Sequence, residues 1–251
     1  MKKFNQENKK NFGATGLLLE SVNYFYLNSN LFLKITLIIT LPSALFIITQ
    51  QNFLNTDSSF ATTIASIFLF LAIIWTYFNS SKAKKIKISD IYKKVSSYFL
   101  QSLMASVLMS IIFIPLGITL VLGFLMFTSI PNYWYFYVVP FILITFLASL
   151  LVAKYSLSYI IVLKEGLSSF KSISRSGKLL KNNLLKLYFG YVIFFAVLIS
   201  IYLVILYILS LNQRLAQNDL LLSTINSVVI SLFLPVLIIY MCKFYEKVSS
   251  D

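Results

Sequence analysis

The sequence predicts an all-α membrane protein with six transmembrane helices arranged as three hairpins. Each hairpin is preceded by an interfacial amphipathic helix on the cytoplasmic side. Three observations carry this expectation. Hydrophobic residues make up 59% of the chain and charged ones only 12%, against roughly half and a quarter in an ordinary soluble domain. No soluble core absorbs that much apolar surface, so lipid is the expected solvent. The charges are gathered into a few basic segments that separate long uncharged runs. Finally, three stretches, about 75 residues apart, each read as a polar amphipathic segment leading into apolar runs.

In chain order, residues 1–15 are expected to form a frayed polar tail. Too long a polar stretch precedes the first apolar run for a secretory signal, and no small-residue cleavage site follows it. Gly16–Asn28, with Tyr24, Phe25 and Tyr26, reads as an interfacial helix. Leu31–Gln50 is the first expected span, with Lys34 snorkelling from its start. Phe60–Phe78 is the second, closing on an aromatic belt of Trp75, Tyr77 and Phe78.

The segment that follows carries Lys82, Lys84, Lys85, Lys87, Lys93 and Lys94 against one acid, Asp90. Ile88, Ile91, Val95 and Tyr98 fall on one helical face. No charge occurs between Val95 and Ala153, which is too long for one crossing. Phe99–Phe127 and Trp134–Leu163 are therefore read as spans three and four, turning at Pro131, with span four bent near Pro140 or ending early. Leu187–Leu211 and Leu220–Cys242 complete the six, and KFYEKVSSD reads as a tail. Pro42, Pro115, Pro140 and Pro235 are expected to kink their spans. The three units are 16–80, 81–163 and 164–251 of one membrane domain.

Orientation follows from counting. Of the 21 Lys and Arg, 18 lie on one side of this topology and only Arg214 on the other. The positive-inside rule then puts both termini in the cytoplasm. The richness in Lys, Ile and Asn points to an AT-rich bacterial genome, hence to a bacterial inner membrane. The net charge of +13 is topogenic and adds attraction to anionic lipid of about 1 kcal/mol per surface residue. Nucleic acid is set aside as a partner, because the basic residues are split among separate loops.

The chemistry available is limited. The chain has no histidine and one cysteine, Cys242. His-based acid/base work, His-ligated metal and Ser/His/Asp triads are excluded, and no metal cluster, cofactor loop or nucleophile–base pair is present. A non-enzymatic protein without cofactor is the expectation. The candidate headgroup ligands are Lys171, Arg175 and Lys178, with Lys93 and Lys94 of the preceding basic segment. Ser172, Ser174 and Ser176 join the first group as phosphate ligands or form a solvated face.

The intramembrane polar candidates are Lys154, Ser106, Ser110, Ser227 and Asn226. Ser102, Ser106 and Ser110 recur every four residues, as do Ser223, Ser227 and Ser231. Packing of small residues is the favoured reading; the alternative is a polar path in a small transporter. Lys154 sits near the bilayer centre if span four reaches Leu163, or at the inner interface if the span stops near Ala153. The interface is favoured, because Trp134–Ala153 is already 20 residues, enough to cross, and the lack of any acid within a span argues against a carboxylate proton relay. Glu165-Gly166 is expected to open the helix that follows, with Glu165 favourable at its N-terminus.

The stretch GLSSFKSISRSGKLLKNNLLKLYFGYVI resembles the membrane domain of glycerophosphoryl diester phosphodiesterases and the six-span bacterial proteins of the YciC type. The matching positions are Lys154, Ser156, Leu157, Glu165, Gly166, Ser172, Arg175, Ser176 and Leu179. The opening GLLLESVNYFYLNSNLFLKITLIITLP, running into Pro42, has the same look. The resemblance implies the membrane module alone. The family's catalytic domain uses His and carboxylates around a metal, and this chain has no His and no length to hold that domain. The implied role is to bind anionic lipid headgroups, or to scaffold a membrane-protein partner of lipid or envelope metabolism.

Overall fold

A computed structural model describes residues 13–39, 59–80, 86–129, 134–211 and 219–250. The described residues are all-helical, with no strand. In chain order the helices are α1 (Ala14–Leu27), α2 (Ser29–Ile39), α3 (Ser59–Ser80), α4 (Ile88–Ser129), α5 (Trp134–Tyr155), α6 (Ser158–Glu165), α7 (Ser169–Leu179), α8 (Leu184–Ser210) and α9 (Asp219–Ser249). The runs Ile88–Ile112, Ile142–Glu165 and Leu184–Ser210 are long and apolar enough to cross a membrane. The second of these includes the short break between α5 and α6. Most of expected span one, at 40–50, lies outside the described residues, as do the loop at 51–58 and Pro42.

Much of α8 is exposed among the described residues. Its buried residues are Leu187, Gly190 and Phe194, while Leu203, Val204, Tyr207 and Ile208 are each more than half exposed. In water, such a contiguous apolar surface would drive association. A helix that satisfies its backbone internally and presents apolar side chains outward is suited to lipid.

The chain divides into two compact units, residues 1–96 with 185–251, and residues 97–184. In the first, α9 packs against α1 and α3. Ile238, Ile239, Tyr240, Cys242 and Phe244 are wholly buried, and so are Leu71, Ala72, Ile73 and Ile74 of α3. A helix covered on every side must be apolar all round, and the middle of α9 is.

Three sequence expectations are corrected here. KFYEKVSSD does not trail off. α9 continues to Ser249, and Phe244, Tyr245 and Val248 are buried. The stripe of Leu237, Tyr240 and Met241 simply repeats at Phe244, Tyr245 and Val248 through the intervening charges. The supposed belt at the end of α3 turns inward. Tyr77 and Phe78 are buried, with Tyr77 stacked at 5.0 Å on Tyr24 and donating to Glu246 Oε2 at 2.7 Å. Tyr24 also hydrogen-bonds Ser80, while Tyr26 is the member of its aromatic trio left exposed. Lys243 lies 3.4 Å from Glu20 and over the Tyr24 ring. This tyrosine-and-charge cluster joins α1, α3 and α9.

The third correction concerns the second unit's lead helix. It is not separate from its span: α4 runs unbroken for 42 residues, about 63 Å and twice the hydrocarbon thickness. α4, α5 and α9 continue through Pro115, Pro140 and Pro235.

Candidate functional site

The end of the fourth expected span forms α6, and the basic segment after it forms α7. α6 ends at Gly166, whose φ of 66° closes the helix in the left-handed conformation; glycine adopts it without a Cβ penalty. Glu165 is therefore the last residue of α6, and does not open the next helix. The dipole argument made from the sequence does not apply to it. Its carboxylate instead lies 3.6 Å from Arg175 Nε of α7.

α7 is strongly two-faced, and its inner face mixes serines with apolar residues. Ser172, Ile173, Ser176 and Leu180 are buried, at the three- and four-residue steps of one helix face. This face packs on α5 and α6. The serine hydroxyls donate to backbone carbonyls: Ser169 Oγ to Gln101 O of α4 at 2.6 Å, Ser172 Oγ to Ser169 O at 2.7 Å, and Ser176 Oγ to Lys154 O at 2.8 Å. Ser172 and Ser176 are thus turned into the protein, away from any headgroup. Lys171, Ser174, Arg175 and Lys178 are exposed on the other face.

Leu167 and Leu184 are partly exposed, and Phe170 is 74% exposed, so the apolar residues of this segment do not share one buried face. Ile173 and Leu180 bind the protein, and Phe170 stands outside with the cations. Leu180 has no exposed surface and closes the C-terminal end of α7. Leu180→Ala is expected to cost about 2–5 kcal/mol, read as earlier proteolysis and faster hydrogen exchange across Ser169–Leu179. Ser174→Ala, on the exposed face, is expected to change neither.

Between α7, the end of α5 and the turn after α7 lies a groove of about 510 Å³. It is lined by Lys154, Tyr155, Ser174, Gly177, Lys178 and Lys181 together with the apolar Ile173, Leu180 and Leu184. Lys154 is held in place by its surroundings. A Cβ built on Gly177 would lie 3.4 Å from Lys154 Cε, and Lys154 Nζ sits 5.4 Å from the Tyr155 ring centroid. The helix breaks immediately afterwards, at Ser156 and Leu157. Ser156 Oγ and Ser158 Oγ donate to the carbonyls of Ala153 and Tyr155, satisfying backbone acceptors that the break would leave free.

Of the sequence candidates, the structure brings Lys154 and Lys178 together in the groove. It adds Lys181 and Tyr155, which the sequence reading had not singled out. Arg175 is engaged with Glu165, and Lys171 lies on α7 outside the groove lining. Lys93 and Lys94 are exposed on the first turns of α4, in the other compact unit.

The stripe of Ser102, Ser106 and Ser110 is not part of the groove lining. Ser102 is buried with its hydroxyl unpartnered, Ser106 is hydrogen-bonded to Tyr159 of α6 at 2.6 Å, and Ser110 donates to Ser106 O. Ser106 thus ties α4 to α6, as the packing reading expects. Asn226 and Ser227 fall on α9, and their side chains lie outside the described residues. No cluster of metal-ligating side chains occurs among the described residues. Comparison with protein-family models, curated proteins and solved structures finds no match to this chain.

Proposed function

We propose that this chain is a non-enzymatic, multi-pass protein of a bacterial inner membrane. It interacts with the anionic headgroups of the cytoplasmic leaflet through α7. In this reading it crosses six times as three hairpins, keeps both termini inside, and serves lipid or envelope metabolism as a membrane module. It would join the membrane domain of glycerophosphoryl diester phosphodiesterases as a family.

The observation that carries the proposal is the disposition of α7. One face is fastened to α5 and α6 by buried Ile173 and Leu180 and by serine hydroxyls. The other presents Lys171, Arg175 and Lys178. The length of α5 supports the same depth. Its 22 residues span about 33 Å, close to the ~30 Å hydrocarbon core. A helix that crosses from Trp134 ends at Tyr155, with Lys154 at the inner interface. Three lysines around one groove argue likewise, since each would cost about 3 kcal/mol at the bilayer centre.

The test is lipid retention in nanodiscs of neutral and anionic phospholipid, read by native mass spectrometry. Each cation removed costs about 1 kcal/mol. Lys171→Gln, Arg175→Gln and Lys178→Gln together should therefore weaken anionic-lipid retention on the order of 100-fold at low salt, and less as screening rises. Wild-type protein that retains neutral and anionic lipid equally, or a triple variant that retains both as wild type does, would overturn the proposal.

A further inference from the structure

General attraction to an anionic surface requires only exposed cations, and the groove beside α7 is more specific than that. We propose that it is a binding site for one phospholipid whose headgroup is a terminal phosphate monoester. The phosphate would be held by Lys154, Lys178 and Lys181, with the glycerol and first acyl methylenes against Leu184. The inference rests on the reading of α7 as a helix of the inner leaflet.

Charge is the first argument. Three ammoniums from two elements border one groove. Among the described residues, none of the three forms an ion pair; the Glu165 carboxylate pairs with Arg175. An anion in the groove offsets the like charges that line it. A phosphate monoester carries a charge of about −1.5 to −2 near pH 7 and offsets most of two lysines, whereas a diester offsets one. Lysine ammoniums are compact charges with freely turning donors. They can close on a phosphate from several directions without the planar registry that a guanidinium needs.

Shape is the second argument. A groove of about 510 Å³ falls in the range of small-molecule sites, ~300–1,000 Å³, and far exceeds what a bare phosphate fills. Of the apolar residues in its lining, the partly exposed Leu184 is the one open to a ligand; it offers nothing to a soluble phosphate ester and suits methylenes. Gly177 keeps it open. A side chain there would grow from a Cβ already at 3.4 Å from Lys154 and 3.8 Å from Tyr155, so anything larger than alanine displaces Lys154 or fills the groove. Leucine at this helical position also raises helix propensity relative to glycine, so it alters the site without weakening α7.

The experiment uses the full chain in neutral phosphatidylcholine nanodiscs. These are doped with phosphatidate, or with twice as much phosphatidylglycerol so that the total charge is comparable. Native mass spectrometry counts the lipid retained. Wild-type protein should hold one phosphatidate per chain, with at least a tenfold preference over phosphatidylglycerol. Lys154→Gln and Lys181→Gln should each lower that preference severalfold. Gly177→Leu, with no change of charge, should abolish the preference while leaving general anionic attraction in place. Lys171→Gln, outside the groove, should reduce general attraction and keep the preference. Millimolar glycerol 3-phosphate should not displace the bound lipid.

Equal retention of the two lipids by wild type, or a preference that survives in both Lys154→Gln and Gly177→Leu, would overturn the site. So would displacement by glycerol 3-phosphate, which would make the ligand a soluble phosphate. The two readings fail separately. A wild-type protein indifferent to all anionic lipid sinks the inner-leaflet reading of α7, whereas general anionic preference without phosphatidate selectivity sinks only the groove. Where a variant does not fold, the wild-type lipid comparison and the displacement arm decide.

Discussion

Gly190→Leu is expected to disrupt the packing of α8 on α9 more than any other single change in that seam. Gly190 is buried on α8, and the Tyr240 ring of α9 inserts into the notch that its missing side chain leaves. A Cβ built on Gly190 would fall on the Tyr240 phenol. Tyr240 has no exposed surface, so it cannot swing clear. Its hydroxyl reaches the carbonyls of Lys186 and Leu187 at 3.4 Å, and Tyr191 packs against its ring. Four residues along α8 and seven back along α9, Phe194 meets Phe233 edge-on at 6.2 Å. The two helices thus run antiparallel along this seam.

In lipid, such a seam is held by packing and not by the expulsion of water, so a misfit has little to offset it. Overpacking of this kind costs about 1–3 kcal/mol for an added methyl, and leucine at Gly190 would cost more. At roughly 2–4 °C per kcal/mol for a chain of this size, Gly190→Ala should lower the thermal midpoint in detergent by roughly 5 °C. Gly190→Leu should lose a monodisperse folded species or fall by roughly 10 °C. Tyr240→Ala alone leaves a cavity. Combined with Gly190→Leu, it should be less damaging than the two losses added together, because the leucine occupies the vacated space. Strict additivity would show that the two residues do not share the notch.

The all-helical class, the apolar runs long enough to cross a membrane at Ile88–Ile112, Ile142–Glu165 and Leu184–Ser210, and the basic amphipathic character of α7 were legible because all three are one-dimensional patterns. Expected boundaries at Phe60–Phe78 and Leu187–Leu211 lie within three residues of α3 and α8. What separates a lead helix from its span is a breaker, and here the three units differ. Asn28 breaks the first after α1, with φ at −115°. Gly166 and the turn through Lys181, Asn182 and Asn183 bracket α7. The second unit has no glycine, proline or asparagine between Ile88 and Gln101, so amphipathic and apolar stretches fuse into α4. The composition carried that signal, and the repeat obscured it.

The groove was less legible. Lys154 and Lys178 drew attention as a lysine in an apolar run and as a basic residue of an amphipathic helix. Nothing in a linear pattern puts them side by side, or adds Lys181. Their meeting depends on Ser176 bonding to the Lys154 carbonyl and on Gly177 having no side chain. Glu165 was misjudged for the same reason. Its partner, Arg175, is ten residues away across a glycine turn, beyond the reach of any helical period.

Phe244→Ala is expected to destabilise the first unit by about 3–5 kcal/mol, although Phe244 sits in a stretch that composition reads as a charged tail. Its ring has no exposed surface and lies 6.2 Å from Tyr240. Its neighbour Tyr245 meets Phe78 edge-on at 6.3 Å, and the next residue, Glu246, accepts from Tyr77. The last two turns of α9 therefore close a core shared by α1 and α3. Removing a ring there leaves a void that helices held on both sides cannot collapse to fill. Lys247→Gln, in the same turns but only partly buried, should stay within about 0.5 kcal/mol of wild type. Glu246→Gln keeps an acceptor for Tyr77 and should cost about 1 kcal/mol. Thermal unfolding of the three variants in one detergent separates the two views of this segment. A true tail gives three near-silent changes, whereas a buried helix end gives one large loss and two small ones.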